Sequence, residues 1–374
     1  MTKIDIRLQK IFTLSTVKQE YICLVYVNDL TKAKMFFCEH KIEVIKEYKF
    51  LNLIAIKTNQ QIICSFENLS FVNYVTQSTT VFSMVDVSRK IMGVDNIKYN
   101  GNKVCVAIID TGISNHFDFV LGKNRIKKFV DLVNNKQYPY DDNGHGTFVC
   151  GVCCGSGLKS FKKYKGFASD CDIVCIKALN KKGEANAVVI LDAMQWIYDN
   201  YKKYNIKVVC MSFGSEPLGY NDPIMRGAEQ LWNKGIVVVA AAGNSGPKYQ
   251  TIKSPGISSK VITVGGFNDN RINKDYNESF FEIAEFSSRG PALSKIKPDL
   301  VAPSVDIKSC GLNNDYVELS GTSVAAPMIA GICVLIIQKY PNLLPDQIKK
   351  LLLKSCKGIT HNYNIEGMGY PYIT

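Results

Sequence analysis

The sequence predicts an α/β fold: a doubly wound, mostly parallel sheet over residues 81–374, preceded by a small α+β domain over residues 1–80. Three observations lead there. The chain has 374 residues, of which 46% are hydrophobic and 21% charged, so it can bury a large core and still carry one small extra domain. After Gly101, unbroken apolar runs alternate with helical patterns, as parallel strands covered on both faces require. Before residue 76 the order strand, helix, strand, strand, helix, strand is that of a split βαβ module.

In the first domain the strands are expected at 21–27, 42–48, 51–56 and 71–75, with helices at 29–38 and 59–67. The module holds no titratable cluster suited to catalysis, so its expected work is binding or folding assistance. The polar stretch Thr76-Gln77-Ser78-Thr79-Thr80 reads as a join. Beyond it, strands are expected at 104–109, 172–178, 207–211, 236–242 and 260–264. The helices are expected at 147–154, 186–204, 222–234, 323–340 and 345–355. Asn186 should cap the second of these, with Val189, Met194, Ile197 and Tyr201 as its inward stripe. The run 324–337 is apolar on every side, which predicts a buried helix too short for a membrane span, with Pro327 in its first turn.

The formal net charge of +12 comes from scattered lysines, denser at 123–128 and 159–165, while residues 1–84 carry ten Lys/Arg against seven Asp/Glu. No nucleic-acid motif accompanies that charge, so it reads as a solvated surface, with neither nucleic acid nor membrane as partner. Most of the 13 cysteines, among them Cys105, Cys175, Cys210 and Cys333, lie inside apolar runs and behave as small buried hydrophobes. Residues 1–18 have no continuous apolar segment or cleavage site, so a reducing cytoplasm and no disulfide framework are expected. Cys150, Cys153 and Cys154 have helical spacing, but no second ligand pair follows; one packed helix face is expected there, and no metal.

Chemistry gathers at four places. Asp110 follows a buried strand and stands at the carboxyl edge of the sheet, where sites in open α/β folds collect. His145 lies between two glycines in Asn143-Gly144-His145-Gly146-Thr147, whereas His40, His116 and His361 lack such a setting and read as structural or surface residues. Asn244 follows another buried strand in Gly243-Asn244-Ser245-Gly246-Pro247. Ser323 stands in Ser320-Gly321-Thr322-Ser323-Val324-Ala325-Ala326-Pro327, where a helix begins. Three have a plainer reading when taken alone: Asp110 and Asn244 as turn residues, Ser323 as a helix cap.

Together they meet one chemical need. A serine hydroxyl becomes a nucleophile when a base removes its proton, the base needs a carboxylate to fix its tautomer, and the resulting oxyanion needs fixed donors. An aspartic-protease reading of Asp110-Thr111-Gly112 fails for want of a second such carboxylate. An α/β-hydrolase reading fails because Gly-x-Ser-x-Gly and a terminal histidine are both missing.

At these residues the chain resembles the subtilisin-like serine proteases, the subtilases, from about Val85 onward. The resemblance rests on Val106-Ala107-Ile108-Ile109-Asp110-Thr111-Gly112, on the His145 segment, on Ala241-Ala242-Gly243-Asn244-Ser245-Gly246-Pro247 and on the Ser323 segment. Phe286-Ser287-Ser288-Arg289-Gly290-Pro291 and Lys297-Pro298-Asp299 are most similar to the intracellular branch that resembles AprX. The resemblance implies a triad of Asp110, His145 and Ser323, with Asn244 and the Ser323 N–H as oxyanion donors. It further implies that Ser212, Phe213 and Gly214 bind the substrate backbone as a strand. A peptide or protein would be the substrate, and the chain would be made as a self-processing zymogen. The N-terminal domain would be the propeptide, assisting folding and inhibiting the enzyme until it is cut away between about 74 and 86. No cofactor is implied for the chemistry. A structural calcium is possible, although the segment 156–165 offers lysines where oxygen ligands would be wanted. Phe148 and Val324-Ala325-Ala326 depart from the family pattern, which points to an altered cleft rim. They prompt the competing reading of a catalytically inactive binding protein on the same scaffold.

Overall fold

The computed structural model describes residues 2–5, 8–9, 12, 20–49, 52–77, 85–271 and 276–373. The chain divides into two compact units, Met1–Val81 and Phe82–Thr374.

The first unit contains β1 (Glu20–Val27), α1 (Leu30–Glu39), β2 (Glu43–Tyr48), β3 (Leu53–Asn59), α2 (Gln60–Ser65) and β4 (Val72–Gln77). Its sheet order is β2-β3-β1-β4 with every neighbour antiparallel, the ferredoxin-like arrangement. Alternation along β1 sends Tyr21, Cys23, Val25 and Val27 into a core shared with Phe37, Ile54, Ile56 and Phe66. Asp29 and Asn59 cap the two helices through their side chains. Strand β4 runs on to Gln77, so two residues assigned from sequence to the join belong to the sheet. Residues 78–84 of that join lie outside the described residues.

In the second unit the central strand is β5 (Cys105–Asp110), buried along its whole length. It is followed by β6 (Ile126–Asp131), β7 (Asp172–Lys177), β8 (Ile206–Met211), β9 (Val237–Ala241), β10 (Ile262–Asn268), β11 (Glu282–Ile283) and β12 (Leu300–Pro303). The order β11-β10-β9-β8-β5-β7-β6, with β12 on β10, is parallel throughout except for β11. The chain moves from β5 to one side through β6 and β7 and to the other through β8, β9 and β10. The carboxyl ends of β5, β8 and β9 therefore share one edge at the switch in direction, where a crevice forms.

The helix His145–Cys154 packs with Thr322–Lys339, and Ala187–Asn200 packs with Pro223–Asn233. Asn186 caps its helix as expected, but the buried stripe is Ile190, Ala193, Met194 and Ile197, with Val189 and Tyr201 only half-buried. Thr322–Lys339 is the one described helix long and apolar enough to cross a bilayer, and 83% of that stretch is buried inside the unit. Its apolar residues face the sheet and neighbouring helices. Pro327 lies inside this helix, past the first turn, where its missing N–H leaves the Ser323 carbonyl without the donor four residues on. Cys150, Cys153 and Cys154 are wholly buried, and all 13 cysteines of the chain are free.

Candidate active site

Asp110 is the last residue of β5 and is fully buried. One of its oxygens, Oδ1, accepts from the Thr111 N–H at 2.7 Å and lies 2.7 Å from His145 Nδ1. The other, Oδ2, is buried with no hydrogen-bond partner among the described residues. His145 is itself the first residue of its helix, two residues earlier than the sequence suggests, because Gly144 takes φ 105° and starts the helix there. Its side chain is 26% exposed, so one edge of the ring is sheltered by Asp110 while the other reaches the crevice. Burial opposes charging the imidazole, but the charge of Asp110 and the bond to it outweigh that, so the His145 pKa is raised.

A web of bonds fixes the two segments against each other. The Thr111 hydroxyl accepts from the Gly146 N–H at 2.8 Å and donates to Asp141 Oδ1 at 2.9 Å. A Cβ on Gly146 would collide with the Gly112 carbonyl, so the glycine after His145 permits that approach. Asp141 also accepts from the N–H groups of Asn143, Gly144 and Thr147 and from the Thr147 hydroxyl. Burial pushes its pKa up, yet these donors prevail and hold it low. Lys177, at the end of β7 and fully buried, donates to the Thr111 carbonyl and to Asp142 Oδ1, both at 2.6 Å, and to the Leu179 carbonyl at 3.1 Å. The sequence reading assigned no role to Asp141 or Lys177; a charged residue ending an otherwise apolar strand is the signal for Lys177.

Ser323 is the second residue of its helix, and Gly321, not Ser323, occupies the cap position. The plain helix-cap reading therefore fails. Among the described residues its hydroxyl makes no side-chain hydrogen bond, so nothing locks it to His145. Asn244, three residues past the end of β9, faces it. Asn244 Oδ1 accepts from the Thr322 N–H and from the Thr322 hydroxyl, each at 2.9 Å, and the Gly243 N–H donates to that hydroxyl at 3.1 Å. With the oxygen so committed, the amide nitrogen must point the other way. A Cβ built on Gly321 would lie 3.2 Å from Asn244 Nδ2 and 3.3 Å from Ser323 Oγ, so donor and hydroxyl flank one small space that only glycine keeps open. Thr322, like Asp141 and Lys177, has no role in the sequence reading.

Ser212-Phe213-Gly214 continues from the end of β8 along the same edge, with Ser212 buried, Phe213 half-buried and Gly214 exposed. Phe148 and Val324 are fully buried, and Phe148 offers its carbonyl to the Ser309 hydroxyl at 3.0 Å. The expected change at the cleft rim is thus corrected: these departures lie in the core.

His116, Asp118 and Cys310 bring three possible metal-binding atoms within 4.8 Å of one another. They do not suit calcium, which takes six to eight oxygens. Their atoms are also engaged, since His116 Nδ1 accepts from the Asp118 N–H, Asp118 Oδ1 from the Lys159 N–H and Asp118 Oδ2 from the Tyr316 hydroxyl. The lysine-rich segment thus meets Asp118 with a backbone donor in place of a cation.

The family model described as the subtilase family matches residues 101–369. The serine protease AprX of Bacillus subtilis (strain 168) is 41% identical over 293 residues, which cover 72% of this chain and 65% of that protein. Subtilisin DY of Bacillus licheniformis is 33% identical over 268 residues, covering 71% of this chain and 88% of that one. Among solved structures, the S41 psychrophilic protease superposes with a TM-score of 0.68 at 26% identity, covering 78% of this chain and 99% of its own. Sphericase gives 0.67 at 25% identity, covering 78% and 100%.

Proposed function

The chain belongs to the subtilase family of serine proteases, and we propose that it is an endopeptidase whose catalytic triad is Asp110, His145 and Ser323. Two observations support this reading: the Asp110–His145 bond at the carboxyl end of β5, and the Ser323 hydroxyl flanking the same small space as the Asn244 amide, whose loop leaves β9 of the same parallel sheet. Asp110 keeps the His145 Nδ1–H facing inward, which leaves Nε2 free as the base. Nε2 takes the Ser323 proton while the hydroxyl oxygen attacks the peptide carbonyl. The negative charge that develops on the carbonyl oxygen is met by Asn244 Nδ2 and by the Ser323 N–H, a donor the first turn of a helix leaves unpaired. His145 returns the proton to the departing amine, and water then releases the acyl group from Ser323 by the same steps in reverse. No cofactor takes part. Ser212-Phe213-Gly214 offers main-chain groups for pairing with an extended substrate, a mode that reads backbone more than side chain.

The unit Met1–Val81, with its own core, acts as the propeptide: it assists folding, inhibits the enzyme, and is removed by a cut between about 74 and 86. Thirteen free cysteines support synthesis and action in the reducing cytoplasm. The competing reading of an inactive scaffold loses its prompt, because Phe148 and Val324 are fully buried in the core. Ser323→Ala tests the proposal: peptide hydrolysis and loss of the leader should both stop, and continued self-processing would overturn it. N-terminal sequencing of the mature form outside residues 74–86 would refute the placement of the cut.

A further inference from the structure

Lys253 occupies a position that the chemistry above does not use. Its N–H donates to the Ala242 carbonyl at 2.9 Å, beside the Gly243-Asn244 turn. The next residue, Ser254, exchanges both backbone bonds with Ser215 at 3.0 Å, just past Gly214. This segment therefore ties the Asn244 loop to the Ser212-Phe213-Gly214 strand and makes the floor between them.

The side-chain stem of Lys253 fills that floor. A Cβ on Gly214 would lie 2.6 Å from Lys253 Cβ, and one on Gly243 would lie 2.5 Å from Lys253 Cγ. Glycine on both walls is what admits the stem. The ammonium ends in an ion pair with Glu216, yet the two partners differ sharply, with the lysine side chain 18% exposed and the glutamate 82%. A packed cation thus faces a carboxylate that stands almost wholly in water. Asp222, which meets this segment through Ser254, is buried and taken up by the Ser254 hydroxyl and the Leu218 and Met225 N–H groups.

We propose that Lys253 determines specificity by presenting its positive charge to the side chain of the residue that contributes the scissile carbonyl, so that the enzyme prefers glutamate or aspartate there. The inference rests on the assignment of Ser323 and Asn244 above. A carbonyl held between those two, on a backbone paired with residues 212–214, directs its side chain between the strand and the Asn244 loop, onto the Lys253 floor. An acidic side chain then replaces Glu216 as the partner of the ammonium. The exchange costs little desolvation because Glu216 is already solvated. A large aromatic ring meets the lysine stem and is excluded. The chain's net charge of +12 adds long-range attraction for acidic peptides.

The test uses the processed enzyme and paired fluorogenic peptides that differ only at that residue. A peptide with Glu should be cleaved with a kcat/KM about tenfold above its Gln twin, the scale of one charge-assisted hydrogen bond. Lys253→Met should bring the Glu-to-Gln ratio toward one, and Lys253→Glu should favour Lys over Glu. Glu216→Gln should raise the ratio by removing the competing carboxylate, and added salt should narrow it in the unaltered enzyme. These last two readings stand even where a Lys253 variant fails to fold. A wild-type ratio of one or less, or a ratio unmoved in both Lys253→Met and Glu216→Gln, would overturn the assignment. Cleavage without charge preference removes this inference alone, whereas no cleavage and no reaction of Ser323 removes the catalytic reading with it.

Discussion

Thr322→Val isolates the part that orients Asn244, the proposed oxyanion donor. The substitution keeps the shape of a buried side chain and removes the hydroxyl that donates to Asn244 Oδ1 and accepts from the Gly243 N–H. The bond from the Thr322 N–H to the same oxygen survives, so the amide stays turned the right way but is held by one donor where there were two. Removing the amide altogether, in Asn244→Ala, should cost on the order of 10²–10³ in turnover, a magnitude established for an oxyanion asparagine in subtilisin itself. One net hydrogen bond is worth about 0.5–1.5 kcal/mol, so Thr322→Val should lower kcat about two- to tenfold. KM should hold, because the oxyanion exists only beyond the ground state. Thr322→Ser should restore the rate. Steady-state kinetics of the two single variants and the double variant provide the check. If Thr322 acts through Asn244, the valine costs almost nothing once Asn244 is alanine. The same loss in both backgrounds, or a loss confined to KM, would refute the argument.

Three further outcomes follow from buried charge. With the pKa of His145 raised by Asp110 against the pull of burial, kcat/KM should climb with pH through a single step above 6.5, as the base loses its proton. Asp110→Asn should lower that step and cut the rate by about 10⁴, and an unchanged pH profile would contradict the pairing. Lys177→Met withdraws a buried ammonium from the Thr111 and Leu179 carbonyls and from Asp142, and should cost about 1–3 kcal/mol by denaturant unfolding; an unmoved midpoint would show those bonds to be dispensable. Burial pushes the Lys297 ammonium down to about 8 despite its bond to Asp299 Oδ2 at 2.7 Å. Between about 8 and 10.5 the unfolded chain then binds the proton that the folded chain has released, so stability should rise with pH there. Lys297→Met should flatten that rise, and an identical slope in both proteins would sink the attribution.

The sequence spoke most clearly where a buried strand ends in a polar residue. Asp110 and Asn244 were both found by that transition, and the parallel sheet brings those ends to one edge. Short elements were silent: β12 is four residues long and exists because β10 offers it a parallel edge, which no local pattern announces. The helix Val85–Ile91 follows a polar join and was likewise not anticipated. Helix starts shifted where glycine chose the boundary, at Gly144 and Gly321, since a residue with positive φ caps without a side-chain cue. The stripe of Ala187–Asn200 slipped by one residue, from Val189 to Ile190, because both are apolar and only packing decides between them. Supporting residues were hidden for a deeper reason. Lys177, Thr322 and Lys253 owe their roles to partners 35, 78 and 37 positions away, at Asp142, Asn244 and Glu216 respectively, and such pairs exist only once the chain is folded.

The central claim is that the carboxylate, the imidazole and the hydroxyl act as one unit on a peptide carbonyl. A fluorophosphonate probe, followed by mass mapping of the modified peptide, tests it most directly. The account predicts a single adduct on Ser323, strongly slowed in His145→Ala and in Asp110→Asn. An adduct on another serine, or labelling of Ser323 at the same rate without His145, would contradict it.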